Sequence, residues 1–308
     1  MRLIFMGTPE FAVPSLEALV ESGFPPVAVV TGPDRPRGRG QKLQPTAVKT
    51  AALRLGIDPI LQPSSVKDPC FATQLQALNI DLQVVVAFRI LPPEVFSLAT
   101  LGAFNLHASL LPEFRGAAPI NWALINGATK TGVTTFFLKD KVDTGNILLQ
   151  WPTSILPNDT AGILHDRLAK LGAQAVVETT QRICEGRAIE RMQDHSLATK
   201  APKIFREDCQ IPWTRSAEEV HNHCRGLSPY PGAWTTWKSK VLKCLGTKIA
   251  EGSGKPGTIL HAQGTLIVAC QTGAVEITHL QAPNQRVLPS KDFLNGHPLP
   301  AGESLFET

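Results

Sequence analysis

The sequence predicts an α/β N-terminal domain on a mainly parallel, Rossmann-like sheet, followed by a smaller, OB-like β-barrel domain. Three observations carry this expectation. At 308 residues the chain is longer than one hydrophobic core usually supports. Through its first two thirds, short β-branched runs alternate with longer stretches of helical spacing, the pattern of βαβ units. The last third is made instead of short strands punctuated by Gly, Pro and Asn.

The predicted strands of the first domain are Arg2 to Phe5, Val27 to Thr31, Gln83 to Phe88, Ala103 to His107 and Val133 to Leu138. Between them, PSLEALVES from Pro14 and PTAVKTAALRLG from Pro45 have helical spacing, with a proline in the first turn and a glycine at or just beyond the end. A longer helix opens with Asp159 or Thr160 as its cap and keeps Ile163, Leu164, Leu168, Leu171 and Ala175 on one face. The stretch ATKAPKIFREDCQIPW then has mixed charge, two prolines and no sustained periodicity, and reads as a linker. The domains are therefore expected to span 1–204 and 205–308. SAEEVHNHCRGL carries an S-x-x-E capping box at Ser216 and Glu219. GTLIVACQTGAVEITHLQ reads as a hairpin turning at Thr272 and Gly273, and a small barrel closes such a strand set.

Composition narrows the classes of function. With 43% hydrophobic and 18% charged residues the chain is neither disordered nor membrane-spanning. The opening MRLIFMGTPEF has an apolar run cut short by Gly7, Pro9 and Glu10, too brief for a secretory leader, so a cytoplasmic protein is expected. Cys70, Cys184, Cys209, Cys224, Cys244 and Cys270 form no C-x-x-C pair and read as reduced thiols, with no metal called for. A net charge of +4 permits a nucleic-acid partner without requiring one.

The most informative segment is FNLHASLLPEFRGAAPINWALINGATKTGVTTFFLKDKVDTGNILLQ, residues 104–150. Asn105 and His107 are two apart at the end of a predicted strand and project to one face, at the carboxyl end where ligands of doubly wound sheets sit. There an amide can donate to an oxyanion while an imidazole exchanges protons on the same carbonyl group. Asp143, in the DTG turn after the next strand, would fix the tautomer of that imidazole and stabilise its charged form.

The runs N-L-H-x-S-L-L-P-x-x-R-G-A-A-P-I, T-G-V-T and D-T-G-x-I-L resemble the folate-dependent formyltransferases. GTPEFAVPSLEAL, SLLPEFRGAAPINWAL, L-x-P-Y-P-G-A-W near 230 and S-K-D-F-L-N-G near 292 are similar to the branch of that family that acts on methionyl-tRNA. The resemblance implies a catalytic trio of Asn105, His107 and Asp143. It implies 10-formyltetrahydrofolate as formyl donor and the initiator methionyl-tRNA as acceptor; separately, a monomer is expected. It also implies a folate pocket lined by Phe88, Arg89, Ile90, Leu91, Ser109, Leu110, Leu111, Pro112, Asp140 and Val142. One departure stands out: Ala87, Phe88 and Arg89 occupy the place of a more usual A-Y-G.

GPDRPRGRGQKLQP, residues 32–45, places Arg35, Arg37, Arg39 and Lys42 against one acid, Asp34, and reads as a mobile basic loop able to meet phosphates. The resemblance gives it the acceptor stem of transfer RNA. On composition alone it is a solvated surface loop. His221, His223 and Cys224 invite a metal reading, but helical positions two apart point some 200° from one another. Packing or surface roles are expected for them instead. Asn158-Asp159-Thr160 fits a glycosylation sequon, but with no secretory leader expected it is not read as modified, and Gly7 lacks the further glycines of a dinucleotide fingerprint. Three other functions remain open: a formyltransferase for glycinamide ribonucleotide or an amino-sugar nucleotide, a non-catalytic RNA-binding relative, and a formyl-folate hydrolase.

Overall fold

The computed structural model describes residues 1–37 and 40–305. They form two compact units. One holds Met1–Pro119, Thr131–Ser154 and His165–Ala201, and the other Ile120–Lys130, Ile155–Leu164 and Pro202–Thr308.

In the first unit the chain runs β1 (Leu3–Gly7), α1 (Val13–Glu21), β2 (Ala28–Val30), β3 (Arg35–Arg37), β4 (Lys42–Gln44), α2 (Ala47–Arg54), β5 (Ile60–Leu61), α3 (Pro69–Ala77), β6 (Leu82–Val86), α4 (Pro93–Phe96) and β7 (Ala103–His107). After α5 (Pro119–Ile125), which beyond Pro119 is counted with the second unit, come β8 (Lys130–Phe137), β9 (Ile147–Ser154) and α6 (Ala161–Cys184), whose first four residues are also counted there. The seven-stranded sheet has the order β5-β2-β1-β6-β7-β8-β9. Neighbours from β5 to β7 are parallel, and β8 lies antiparallel to β7. The sheet is thus the mainly parallel, Rossmann-like one expected. LIFMG of β1 and LQVVV of β6 are buried along their whole length, as central strands covered on both faces must be. Ile4, Met6, Val30 and Val85 pack there against Phe71, Leu75 and Val95. Because the chain leaves β1 for β2 on one side and later returns to β6 on the other, its direction reverses at β1/β6. Such a reversal opens a crevice at the carboxyl ends of the strands.

Helix α6 lies against β7: a side chain at Gly172 would come within 2.6 Å of Leu106, and the Thr135 and Thr179 hydroxyls meet at 2.7 Å. Thr160 caps it, accepting the Ile163 amide at 3.3 Å. Leu164, Leu168 and Ala175 are buried as the spacing predicts, but Ile163 is 50% exposed. It sits in the first turn, one position ahead of Leu164 and off the covered stripe. A second correction concerns residues 32–45. Within this stretch, expected to be a mobile basic loop, the described residues include two short strands: β3 and β4 pair antiparallel in the register Arg35↔Gln44 and Arg37↔Lys42.

The second unit contains α7 (Ala217–Gly226), β10 (Ala233–Trp237), β11 (Lys240–Ala250), β12 (Ile259–Gln263), β13 (Thr265–Ala269), β14 (Ala274–Gln281), β15 (Leu288–Pro289) and α8 (Ser290–Gly296). Its antiparallel half-barrel has the order β10-β11-β14-β13-β12, with β15 on β14. The capping box forms as expected between Ser216 and Glu219. The β13–β14 hairpin turns at Gly273, whose φ of 75° is the left-handed conformation that glycine tolerates. Cys209, Ile211 and Trp213, from the stretch that reads as a linker, are instead buried in this core with Val220, Ile277 and Phe293. Their alternation around Pro212 is too short to register as periodicity. Burial pushes the thiol of Cys244 up to about 12 and that of Cys270 to about 11, which keeps them protonated and unreactive. His221 meets the Thr247 hydroxyl at 2.9 Å, while His223 is buried beside Cys209 and Gln210, so the two rings have separate surroundings.

Candidate active site

Strand β7 ends at His107, and the backbone alternation of β7 puts Asn105 on the same face. The imidazole Nε2 lies 2.8 Å from the Phe114 carbonyl oxygen. A carbonyl can only accept, so Nε2 carries a proton, and the Nδ1 side of the ring faces Asp143. Nδ1 and Asp143 Oδ2 are 3.8 Å apart, an ion-pair distance rather than a hydrogen bond, and the two side chains are only 7% and 10% exposed. Asn105 is half-buried and, among the described residues, makes no side-chain hydrogen bond, leaving its amide for a ligand.

Two loops frame these groups. The one after β7 is held by Thr134, whose hydroxyl donates to the Ser109 carbonyl at 2.6 Å and accepts the Leu111 amide at 3.1 Å. Farther along, Phe114 and Arg115 donate their amides to the Thr199 hydroxyl and carbonyl at 2.8 and 2.9 Å. The Gly116 amide then donates to Asp143 Oδ2 at 2.9 Å. Gly116 has φ 127°, and a Cβ there would lie 2.4 Å from the Ala201 carbonyl oxygen, so no other residue fits. The second loop carries Asp143 at φ 55°. A non-glycine residue in that conformation costs roughly 1–2 kcal/mol. Three hydrogen bonds offset it, each contributing about 1 kcal/mol or more: the Gly116 amide to the carboxylate, and the Gln193 carboxamide to the carbonyls of Asp143 (3.0 Å) and Gly145 (2.7 Å). Burial lowers the guanidinium pKa of nearby Arg115, and the charge of Asp143 raises it in return.

A cavity of about 270 Å³ opens at the crevice, lined by Thr8, Gly32, Pro33, Arg35, Gln44, Thr46, Ala87, Phe88 and Arg89. Phe88 and Arg89, expected at the folate, therefore share a wall with Arg35, expected at RNA. Arg89 donates to the Pro63 and Ser64 carbonyls at 3.0 and 2.9 Å and lies over the Phe88 ring at 5.9 Å. Ile90, Asp140 and Val142 present exposed surface. Leu91 and Leu111 are buried in packing, Leu110 and Pro112 half-buried, and Ser109 is enclosed with its hydroxyl donating to the Glu113 carbonyl at 2.6 Å. On the hairpin, Arg35 and Lys42 are exposed. Arg39 and the side chain of Arg37 lie outside the described residues. The base of the hairpin is fixed by Asp34, which accepts from Lys49 and Gln62 at 2.7 Å each. Sequence reading missed Gln193 and the segment around it, and nothing local could have found them: their partners lie about fifty to eighty residues away in the chain.

The formyl transferase family profile matches residues 1–180, and its C-terminal domain profile matches residues 203–298. The chain belongs to the formyl transferase family. A methionyl-tRNA formyltransferase of Chlorobium phaeovibrioides is 50% identical over 304 residues, 96% of this chain and 95% of that protein. One from Pelotomaculum thermopropionicum is 45% identical over 312 residues, 100% of this chain and 99% of that one. Membership of this family makes the protein a one-carbon transferase. Among solved structures, the N-formyltransferase of Helicobacter canadensis, in complex with folinic acid and dTDP-3-aminofucose, superposes with a TM-score of 0.68 at 18% identity. That match covers 92% of this chain and 99% of that one. HypX from Aquifex aeolicus in complex with tetrahydrofolic acid gives 0.65 at 19% identity, over 96% of this chain and 47% of that one. These two likenesses concern the fold. Among the described residues no helix is long and apolar enough to cross a membrane.

Proposed function

We propose that this formyl transferase moves the formyl group of 10-formyltetrahydrofolate to the free amino group of initiator methionyl-tRNA. The observation that carries the reading is the near full-length similarity to methionyl-tRNA formyltransferases across both units, combined with the buried His107–Asp143 pair at the end of β7. Asn105 donates its amide to the formyl oxygen as attack by the amine makes that oxygen negative. His107 takes the proton released by the amine and passes one to the departing folate nitrogen. Because Nε2–H is committed to the Phe114 carbonyl, this exchange runs at Nδ1. Asp143 faces that nitrogen and stabilises the imidazolium while it is charged.

The folate is assigned to the strand ends from Phe88 to Leu91, Ser109 to Pro112, Asp140 and Val142, and the acceptor end to the β3–β4 hairpin. The catalytic domain is assigned to 1–204 and the RNA platform to 205–308. Exposed Arg35 and Lys42, with no carboxylate partner among the described residues, support the hairpin's part, as does Leu43 at 71% exposure beside them. The test offers the enzyme 10-formyltetrahydrofolate with charged initiator transfer RNA, glycinamide ribonucleotide, an amino-sugar nucleotide or free methionine. N-formylmethionine on the transfer RNA, formed far faster than any small product, is expected. Preference for a small amine, or hydrolysis of the donor alone, overturns the reading.

A further inference from the structure

We propose that Gln193 is a positioning residue for Asp143, setting the carboxylate against His107; this rests on the reading of Asp143 given above. Gln193 is 6% exposed and sits mid-way along the segment that follows α6. That segment is anchored at both ends. Arg191 exchanges backbone hydrogen bonds with Ile147 at 2.7 and 2.9 Å, and Ala201 donates to the Arg115 carbonyl at 2.7 Å. Between these anchors the carboxamide of Gln193 is fully used. Its nitrogen donates to the carbonyls of Asp143 and Gly145 at 3.0 and 2.7 Å. Its oxygen accepts from Nε and an Nη of Arg115 at 3.2 and 2.5 Å.

Both loops of the site therefore meet on one side chain. Arg115 stands between Phe114, whose carbonyl fixes the His107 tautomer, and Gly116, whose amide holds the Asp143 carboxylate. Asp143 and Gly145 bracket the turn that holds the carboxylate in a left-handed conformation. The position demands an acceptor toward a guanidinium and two donors toward carbonyls, and a carboxamide presents both. A glutamate of the same shape keeps the Arg115 contact and loses both N–H donors. It turns a carboxylate onto two carbonyl oxygens, so the Asp143 turn loses its support while the packing survives. A misplacement of about 1 Å at reacting groups costs on the order of 10²-fold in rate.

The experiment measures kcat and KM of the full-length enzyme for Gln193→Glu, Asp143→Asn and the double variant, with Gln193→Asn as a shorter carboxamide that can keep one donor bond. The expected result is a kcat lowered about 10- to 100-fold in Gln193→Glu, KM for both substrates within about twofold, and an intermediate loss in Gln193→Asn. In the Asp143→Asn background the Gln193→Glu change should add less than about twofold, since its effect passes through the missing carboxylate. Wild-type kcat in Gln193→Glu, or the same loss with and without Asp143, overturns the proposal. If Gln193→Glu does not fold, Gln193→Asn decides: wild-type kcat there overturns it, and a loss that vanishes in Asp143→Asn supports it. Near wild-type turnover in Asp143→Asn fails the reading of Asp143 itself. A severe Asp143→Asn beside an unaffected Gln193 series fails only Gln193.

Discussion

At the end of β7, His107 and Asp143 are almost enclosed, and every backbone segment beside them is tied by hydrogen bonds to chain far away in sequence. On the β3–β4 hairpin, by contrast, Arg35, Lys42 and Leu43 stand in solvent, and the firm contacts lie at the base, where Asp34 meets Lys49 and Gln62. Chemistry at the enclosed pair depends on geometry, and a small displacement there is costly. On the reading proposed above, the hairpin would work by charge and reach, with its contribution spread over several cations and screened by salt.

The sharpest way to break this division is to damage each region and ask which constant moves. If Asn105 is the oxyanion donor, as proposed, Asn105→Ala should lower kcat by about 10² to 10³-fold with little change in KM. Steady-state kinetics with charged transfer RNA measures it; a loss confined to KM would place Asn105 in binding. Next in size is Gly145→Ala. A Cβ there would lie 1.6 Å from the Phe137 carbonyl oxygen, so the Asp143 turn must move. We expect a loss of about 3 kcal/mol or more, seen as a thermal midpoint lowered by roughly 6 °C or more. An unchanged midpoint would show that the turn is less constrained than these contacts require.

Arg35→Ala with Lys42→Ala should have a smaller and different effect. Transfer RNA affinity should fall about tenfold at low salt, with the salt slope reduced by somewhat under one unit per lost phosphate contact. The kcat at saturation should stay within about twofold. A fall in kcat comparable to that of Asn105→Ala would abolish the distinction between the two regions. Smallest is the effect of Asp34→Asn. The hydrogen bond from Lys49, then that from Gln62, hold the Asp34 carboxyl below its ordinary 3.8. A carboxyl with a depressed folded-state value stabilises the fold at pH above 3.8 and loses that contribution as pH falls through the folded value. Wild type and Asp34→Asn should therefore differ slightly in thermal midpoint near neutrality and converge in acid. A gap that widens in acid would contradict the role given to Asp34.

Much of this frame is legible in the chain. Strand β7 has the bounds that the sequence predicts, β1, β2, β6 and β8 fall within about three residues of theirs, and the Ser216–Glu219 box and the turn at Gly273 are as expected. These features are local: β-branched runs, caps and turn residues act within a few positions. Asn105 and His107 are equally readable, because strand alternation alone puts them on one face. What sequence could not supply is set by pairing and packing that local composition does not show. The β3–β4 pairing sits in a Gly- and Pro-rich stretch whose composition suggests irregular chain, yet Pro36 and Leu43 pair across it. Trp213 and Ile211 lie in an aperiodic stretch and owe their burial to β10, β13 and β14, strands that come later in the chain. Gln193 stands in a stretch of mixed residues with no pattern, and only the folded arrangement of Arg115, Asp143 and Gly145 shows why it is there.

The most direct measurement is the single-turnover rate of formyl transfer by His107→Ala, with 10-formyltetrahydrofolate and charged initiator transfer RNA both saturating, beside independent titrations of each ligand. If Nδ1 of His107 takes up the amine proton and passes one to the leaving nitrogen, the rate should fall by at least about 10²-fold while both ligands bind as they do to the wild-type enzyme. A rate close to wild type, with the variant folded and both ligands bound, would contradict the assignment of the chemistry to the end of β7.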